Sequence, residues 1–80
     1  MKIYDFNGAK NISGERIRQA RVMQRMTQSD LTVKMQVNGV RIEREAISKI
    51  ESGVRFVADY ELVAFAKVLG VSINWLAGEE

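Results

Sequence analysis

The chain has 80 residues, 46% apolar and 28% charged, which is the composition of an ordinary globular domain. A chain of this length buries roughly 60% of the surface that it exposes when unfolded, so we expect one small domain without a deep substrate cavity. The absence of Cys and His excludes disulfides, thiolate and imidazole metal ligands, and the usual general base. We therefore expect no enzyme activity, metal, cofactor or small-molecule substrate.

Charge is divided unevenly along the chain. Residues 16–55 carry nine basic and four acidic side chains, a net charge of +5, whereas residues 56–80 carry one lysine and four acids, a net charge of −3. This asymmetry favours a polyanionic partner for the first part of the chain. The alternative interpretation is a solvated surface on which basic residues cluster by chance.

The N-terminal residues have neither the basic region nor the apolar region of a secretory signal. No apolar run is long enough to cross a bilayer, so we expect a cytoplasmic protein without membrane contact. We treat residues 1–12 as an N-terminal extension and residues 13–80 as the folded domain. The extension is interpreted as a flexible arm, as a packing segment that uses Ile3, Tyr4 and Phe6, or as part of a dimer contact.

Proline is absent, and apolar residues recur at helical spacing, which together predict an all-α fold of five helices. The first helix is predicted from about Glu15 to Gln24 with Ser13 as its N-cap, and Arg21 lies on its otherwise apolar face. The second helix begins at Thr27. Thr27 and Asp30 have the spacing of a capping box.

Residues 37–42 follow, and Asn38-Gly39 within them is the strongest turn signal of the chain. Because an isolated two-stranded hairpin is marginally stable, we expect an ordered loop here. The third helix is predicted over residues 44–53, ending at Gly53, with Ile47 and Ile50 facing the core. Its opposite side is polar and consists of Arg44, Glu45, Ser48, Lys49 and Ser52.

A fourth helix is predicted from Asp59 to Leu69, ending at Gly70, with Leu62 and Phe65 on its apolar side. Ala58 precedes this helix and is a poor N-cap, because it has no side-chain oxygen. A last short helix follows Ser72 and contributes Ile73, Trp75 and Leu76.

Four stretches of the chain, in this order, are similar to the phage repressor and Cro-like helix-turn-helix family. They are RIRQAR (16–21), MTQSDL (26–31), ISKIESG (47–53) and LVAFAKVLGVSINWLAG (62–78). The resemblance spans over three quarters of the chain. It implies a compact, lambda-repressor-like bundle of five helices in which the second and third helices form the helix-turn-helix. It also implies a transcriptional regulator of bacterial or phage type, usually a repressor and sometimes an activator, that binds a palindromic double-stranded DNA operator as a homodimer.

The resemblance assigns base contacts to the polar side of the third helix. The residues concerned are Arg44, Glu45, Ser48 and Lys49. An arginine in this position can bind guanine O6 and N7 together, which discriminates against other bases by about 1–3 kcal/mol. For Arg44 the alternative is a phosphate contact or a solvated charge. For Glu45 the alternative is structural, since an acid in the first turn complements the helix dipole and can pair with Lys49.

Phosphate contacts are expected around the start of the second helix, where free amides and a partial positive charge attract anions. The family counterpart of Gln28 contacts the DNA backbone, and Thr27 precedes it. Arg16, Arg41 and Arg55 are further phosphate candidates, although each alone could equally be a solvated charge.

Two further sets of residues are assigned through the resemblance. Arg21 and Glu51 occupy positions that commonly form a partly buried ion pair, so we expect them to be structural. The dimer interface is expected in the C-terminal region, around Phe56, Ile73, Trp75 and Leu76.

The chain departs from the family pattern at three places. The turn between the second and third helices, residues 36–43, is longer than usual by about five residues, Arg25 stands where the family often has Gly, and Thr32 replaces a usual Ala. If Arg25 must adopt a left-handed conformation, the cost is up to ~1 kcal/mol.

A helix-turn-helix fold does not by itself prove DNA binding, because one fold supports several functions. The alternative function is a protein-interaction module, such as an antitoxin-like or adaptor protein, that turns the same helix face toward another protein. A steep loss of DNA affinity with rising salt concentration would favour DNA binding over the protein-interaction module.

Overall fold

The structure, a computed structural model, describes residues 6–80. Within this range the chain forms five α-helices, α1 (Gly14–Met23), α2 (Gln28–Val37), α3 (Arg44–Glu51), α4 (Asp59–Leu69) and α5 (Ile73–Leu76), and no strand. The predicted all-α, five-helix fold is confirmed. Ile3 and Tyr4, named above as packing candidates, lie outside the described residues.

One core joins all five helices. Helix α3 packs on α1 and α2, while α4 packs on α1, α2 and α5. The largest fully buried side chains are Ile17, Leu31, Met35, Ile47, Ile50, Phe65 and Leu76. Because two of these residues come from α3, the core holds the underside of that helix against its neighbours and leaves its other side in solvent.

The turn between α2 and α3 is an ordered loop, as predicted. Residues 38–43 form no strand, and Val40 N donates to Met35 O (3.0 Å), which closes the end of α2. Ile42 is buried and anchors the loop to the core just before α3. The longer turn therefore leads into α3 from a fixed point.

Each of the five helices is followed by a residue with a left-handed backbone conformation. At the end of α1 this residue is Arg25, with φ of 59°. Met26 N donates to Arg21 O (3.1 Å) and Arg25 N donates to Val22 O (3.0 Å), which is the Schellman arrangement. Gly53, with φ of 82°, ends α3 in the same way, as predicted. Arg25 thus carries the conformational cost that a glycine would avoid.

The starts of α1 and α2 differ in how well the sequence predicted them. The Thr27–Asp30 capping box is confirmed: Thr27 Oγ1 accepts from Asp30 N (3.0 Å), and Asp30 Oδ2 accepts from Thr27 N (2.8 Å). Ser13 occupies the N-cap position of α1, as predicted, but its side chain makes no capping hydrogen bond. Asn11 Oδ1 accepts from Gly14 N instead (2.7 Å). Hydrogen bonds from Asn11 Nδ2 to Ile50 O and Arg55 O place its side chain there.

In the part of the chain that the structure describes, every helix is too short or too polar to span a membrane.

Candidate nucleic-acid interface

Helix α3 has one buried side and one exposed side. Ile47 and Ile50 have no accessible surface, and the four side chains predicted to contact bases are all exposed: Arg44, Glu45, Ser48 and Lys49. The structure therefore presents these four residues together on one rigid helix. Their contact with bases remains a prediction.

Arg44 and Glu45 lie next to each other at the start of α3. Arg44 Nη2 is 3.9 Å from Glu45 Oε2, and both side chains are more than half exposed. An exposed pair at this distance contributes little to stability. Arg44 can therefore exchange this carboxylate for a nucleotide at a small cost in free energy. The negative charge of Glu45 weakens the attraction of this end of α3 for a phosphate.

An internal network ties α3 to α1 and α2. Arg21 Nε donates to Glu51 Oε2 (2.7 Å), and its Nη2 donates to Glu51 Oε1 (2.9 Å). The side chains are only 12% and 4% exposed, so the ion pair implied by the family resemblance is present and partly buried. The hydrogen bond to Glu51 raises the pKa of the Arg21 guanidinium. A third bond from Arg21 Nη1 reaches Met26 O (2.8 Å), in the turn before α2.

Gln28 belongs to the same network. Its Nε2 donates to Glu51 Oε1 (3.1 Å), which directs the side chain toward the end of α3. The hydroxyl of Thr32, one turn further along α2, donates to Gln28 O (3.1 Å), so the polar group that replaces the usual Ala is satisfied within its own helix. The start of α2 is thereby held beside the exposed side of α3.

A cleft of about 360 Å³ lies where α1, α2 and α3 meet. Its lining consists of Glu15, Arg18, Gln28, Ser48, Glu51 and Ser52. Arg18 is exposed and was not singled out from the sequence. The available signal was its position three residues before Arg21, which places both on the same side of α1. Arg21 compensates the charge of Glu51, so the lining retains one exposed cation, Arg18, and one exposed carboxylate, Glu15, beside Ser48 and Ser52.

Thr27 and Arg41 lie on the surface just before the two helices of the helix-turn-helix, Thr27 before α2 and Arg41 in the loop before α3. Thr27 is exposed, and its hydroxyl caps α2. Arg41 is exposed in the loop that precedes α3. Both positions are compatible with the predicted phosphate contacts.

Arg16 has a different environment from the one predicted. Its Nη1 donates to Trp75 O (3.0 Å), and its guanidinium lies 4.8 Å from the centre of the Trp75 ring. This combination of hydrogen bond and cation–π contact joins α1 to α5. We correct the phosphate assignment of Arg16 to a structural one, because its guanidinium is committed within the chain.

Arg55 is likewise committed to an internal partner. Its Nη1 and Nη2 donate to the two carboxylate oxygens of Glu61 (3.0 and 3.2 Å), and Nη1 also donates to Phe56 O (2.9 Å). Glu61 is buried and accepts from Ala58 N (2.9 Å), which is the bond that an acid at the third helical position makes in a capping box, whereas Ala58 makes no side-chain cap. Burial alone would raise the pKa of Glu61, but the hydrogen bonds from Arg55 and Ala58 outweigh it and lower that pKa. We therefore assign Arg55 a structural role as well.

The residues expected at a dimer interface divide into three groups. Phe56 and Ile73 are 48% and 43% exposed, so they are accessible to another chain. Trp75 is partly buried beneath Arg16. The prediction for Leu76 is wrong: its side chain is fully buried in the core of its own chain, so it has no surface to offer.

Comparison with known protein families agrees with the helical fold of the chain. A family model described as Helix-turn-helix matches residues 17–76, three quarters of the chain, from α1 to the end of α5. No curated protein matches the sequence. The matched region begins after Asn11 and Gly14.

Proposed function

The chain belongs to the phage repressor and Cro-like helix-turn-helix family of DNA-binding regulatory domains, and from this membership we propose that it is a sequence-specific repressor that inserts α3 into the major groove of double-stranded DNA. The observation that carries the proposal is the exposed side of α3. It combines cationic and hydrogen-bonding side chains on a helix whose core-facing side chains, Ile47 and Ile50, have no accessible surface. A helix held in this way can enter a groove about 12 Å wide without repacking the core.

Within α3 we assign the first base contact to Arg44. It lies in the first turn, the part of a recognition helix that approaches base edges most closely. Its guanidinium can bind guanine O6 and N7 together, whereas Lys49 and Ser48 can bind either a base or a phosphate. Glu45 can accept from cytosine N4, and it also makes incorrect registers costly because phosphates repel it.

Contacts to the DNA backbone are assigned to the edges of the same surface. The amides at the start of α2, next to Thr27 and Gln28, offer donors and a partial positive charge. Arg41 and Arg18 are exposed cations at the two flanks of α3. These contacts fix the position of the helix in the groove and carry no base preference of their own.

We further propose that two copies bind a palindromic operator, with half-sites about 34 Å apart. The accessible candidates for the dimer contact are Phe56 and Ile73. Replacing both with aspartate should leave the monomer folded, because both are exposed in one chain, and should weaken binding to a double site more than binding to a half-site. Light scattering of the free and DNA-bound protein measures the stoichiometry.

The main experiment selects duplexes from a randomised pool and compares the selected sequence with a scrambled one at several salt concentrations. We expect a steep loss of affinity with salt for both duplexes and a gap of at least about 10³-fold between them near physiological salt. Equal, weak binding to both duplexes would refute sequence-specific reading and favour a protein partner for this face. A reporter gene placed behind the selected site then tests repression.

A further inference from the structure

The last turn of α3 is held by a side chain from outside the helix-turn-helix. Asn11 Nδ2 donates to Ile50 O in that turn (3.0 Å) and to Arg55 O in the segment after it (2.8 Å). Asn11 Oδ1 accepts from Gly14 N at the start of α1 (2.7 Å). A single carboxamide thus joins three segments of the chain and uses both its donors and its acceptor.

The backbone around Asn11 strengthens the same connection. Lys10 N donates to Gly53 O (2.8 Å), directly after α3. Gly14 lies so close to α3 that a Cβ added to it would overlap the carbonyl oxygen of Ile50. The start of α1 and the end of α3 are therefore in backbone contact, and the Asn11 side chain is bonded to both.

The two ends of α3 are held by different means. At the N-terminal end Glu43 makes no side-chain capping bond, and the long loop is anchored through Ile42. At the C-terminal end the fixed points are the Arg21–Glu51 pair and Asn11. This C-terminal end carries Ser48, Lys49 and Ser52. The distance of these residues from α1 therefore depends on the length and geometry of the Asn11 hydrogen bonds.

We propose that Asn11 is a positioning residue for DNA recognition, which sets the pose of the C-terminal half of α3 and hence the base preference of Ser48 and Lys49. The inference rests on the proposed function and goes beyond it, because Asn11 precedes the region that matches the family. Small displacements matter here, since a hydrogen bond to a base edge weakens steeply once its distance and angle leave a narrow range.

The test must separate positioning from simple loss of stability. Asn11→Ala removes all three bonds, and Arg25→Gly is expected to recover part of the lost stability at a site in a different turn, so we compare the single Asn11→Ala variant with the double variant. Both are assayed well below their melting temperatures against the selected and the scrambled duplex. Asn38→Ala is the matched control, because the Asn38 carboxamide also donates to a backbone carbonyl, that of Lys34 in the adjoining helix α2 (3.0 Å).

We expect the selected-to-scrambled affinity ratio to fall by about tenfold or more in both Asn11 variants, the loss associated with one base-pair preference, and to stay unchanged in Asn38→Ala. Recovery of the ratio in the double variant, or an unchanged ratio in the single one, would overturn the proposal. If the parent chain has no preference for any duplex, the proposed function fails instead. In that case NMR shifts and amide exchange of residues 48–54 still report whether Asn11 positions α3.

Discussion

Arg21 and Glu51 form a two-pronged ion pair that joins α1 to the last residue of the helix we assign to DNA recognition. Glu51 is 4% exposed, and Gln28 also donates to it, so one carboxylate connects all three helices around the proposed interface. The pair thus belongs to the core and also fixes the position of α3, whose exposed side is the proposed DNA-binding surface.

Removing one member of this pair should be costly. Arg21→Met leaves the Glu51 carboxylate buried with only Gln28 as a partner, and we expect a loss of about 3–5 kcal/mol in the free energy of unfolding. The double variant Arg21→Met/Glu51→Leu should lose much less, because no charge is left without a partner. Urea denaturation of the parent and variants measures both. A double variant as unstable as Arg21→Met would contradict this account of the pair.

Arg25→Gly should stabilise the protein by up to about 1 kcal/mol, because Arg25 adopts a φ of 59° that glycine reaches without steric cost. Gly39→Ala provides the reverse test: Gly39 has φ of 86°, and an added Cβ would meet no atom within 4 Å, so backbone strain alone should destabilise that variant. Thermal unfolding gives the sign of each effect. A melting temperature that is lower for Arg25→Gly would show that the arginine side chain outweighs the strain.

Arg44 and Arg41 should differ in what their removal does to DNA binding. Arg44→Ala should cost about 1–3 kcal/mol on the selected duplex and relax base preference at one position. Arg41→Ala should weaken the selected and scrambled duplexes alike and reduce the salt slope by about one. Arg55 is unsuitable for this comparison, since its removal would strand the buried carboxylate of Glu61. Binding selections with each variant decide the assignment, and uniform weakening by Arg44→Ala would make that residue a phosphate contact.

Acid should destabilise the protein partly through Glu61. The pKa of Glu61 in the folded chain is below its ordinary value of 4.5, so as the pH falls through this value the unfolded chain takes up a proton first. The free energy of unfolding contributed by this group is therefore fully present above pH 4.5 and is lost as the pH falls through the lower folded-state pKa.

The variant Glu61→Gln should consequently be less stable at neutral pH and should lose less stability between neutral and acidic pH than the parent. We expect the loss at neutral pH to be about 1–2 kcal/mol, because Arg55 is partly solvated. Glu79→Gln, at an exposed carboxyl near the C-terminus, is the control and should follow the parent. Parallel pH profiles for the parent and Glu61→Gln would contradict the role assigned to this carboxylate.

Local spacing was enough to predict most of the architecture. The five helices, the Thr27–Asp30 capping box, the stop at Gly53 and the two-sided character of α3 all follow from side chains at most a few residues apart, and each is present in the structure. The reason is physical: helix periodicity and end-capping depend on bonds within one or two turns. The membership of the chain in its family, over residues 17–76, rests on the same local patterns.

Long polar side chains could not be assigned in this way. Arg16 reaches Trp75, which is 59 residues away, and Asn11 reaches Ile50, which is 39 residues away, so neither partner is visible in a local pattern. Leu76 and Ile73 are both apolar and three residues apart, yet one is fully buried and the other is accessible. Packing of the folded helices alone determines which surface each side chain meets, because burial and long-range hydrogen bonds are properties of the assembled core and not of a segment.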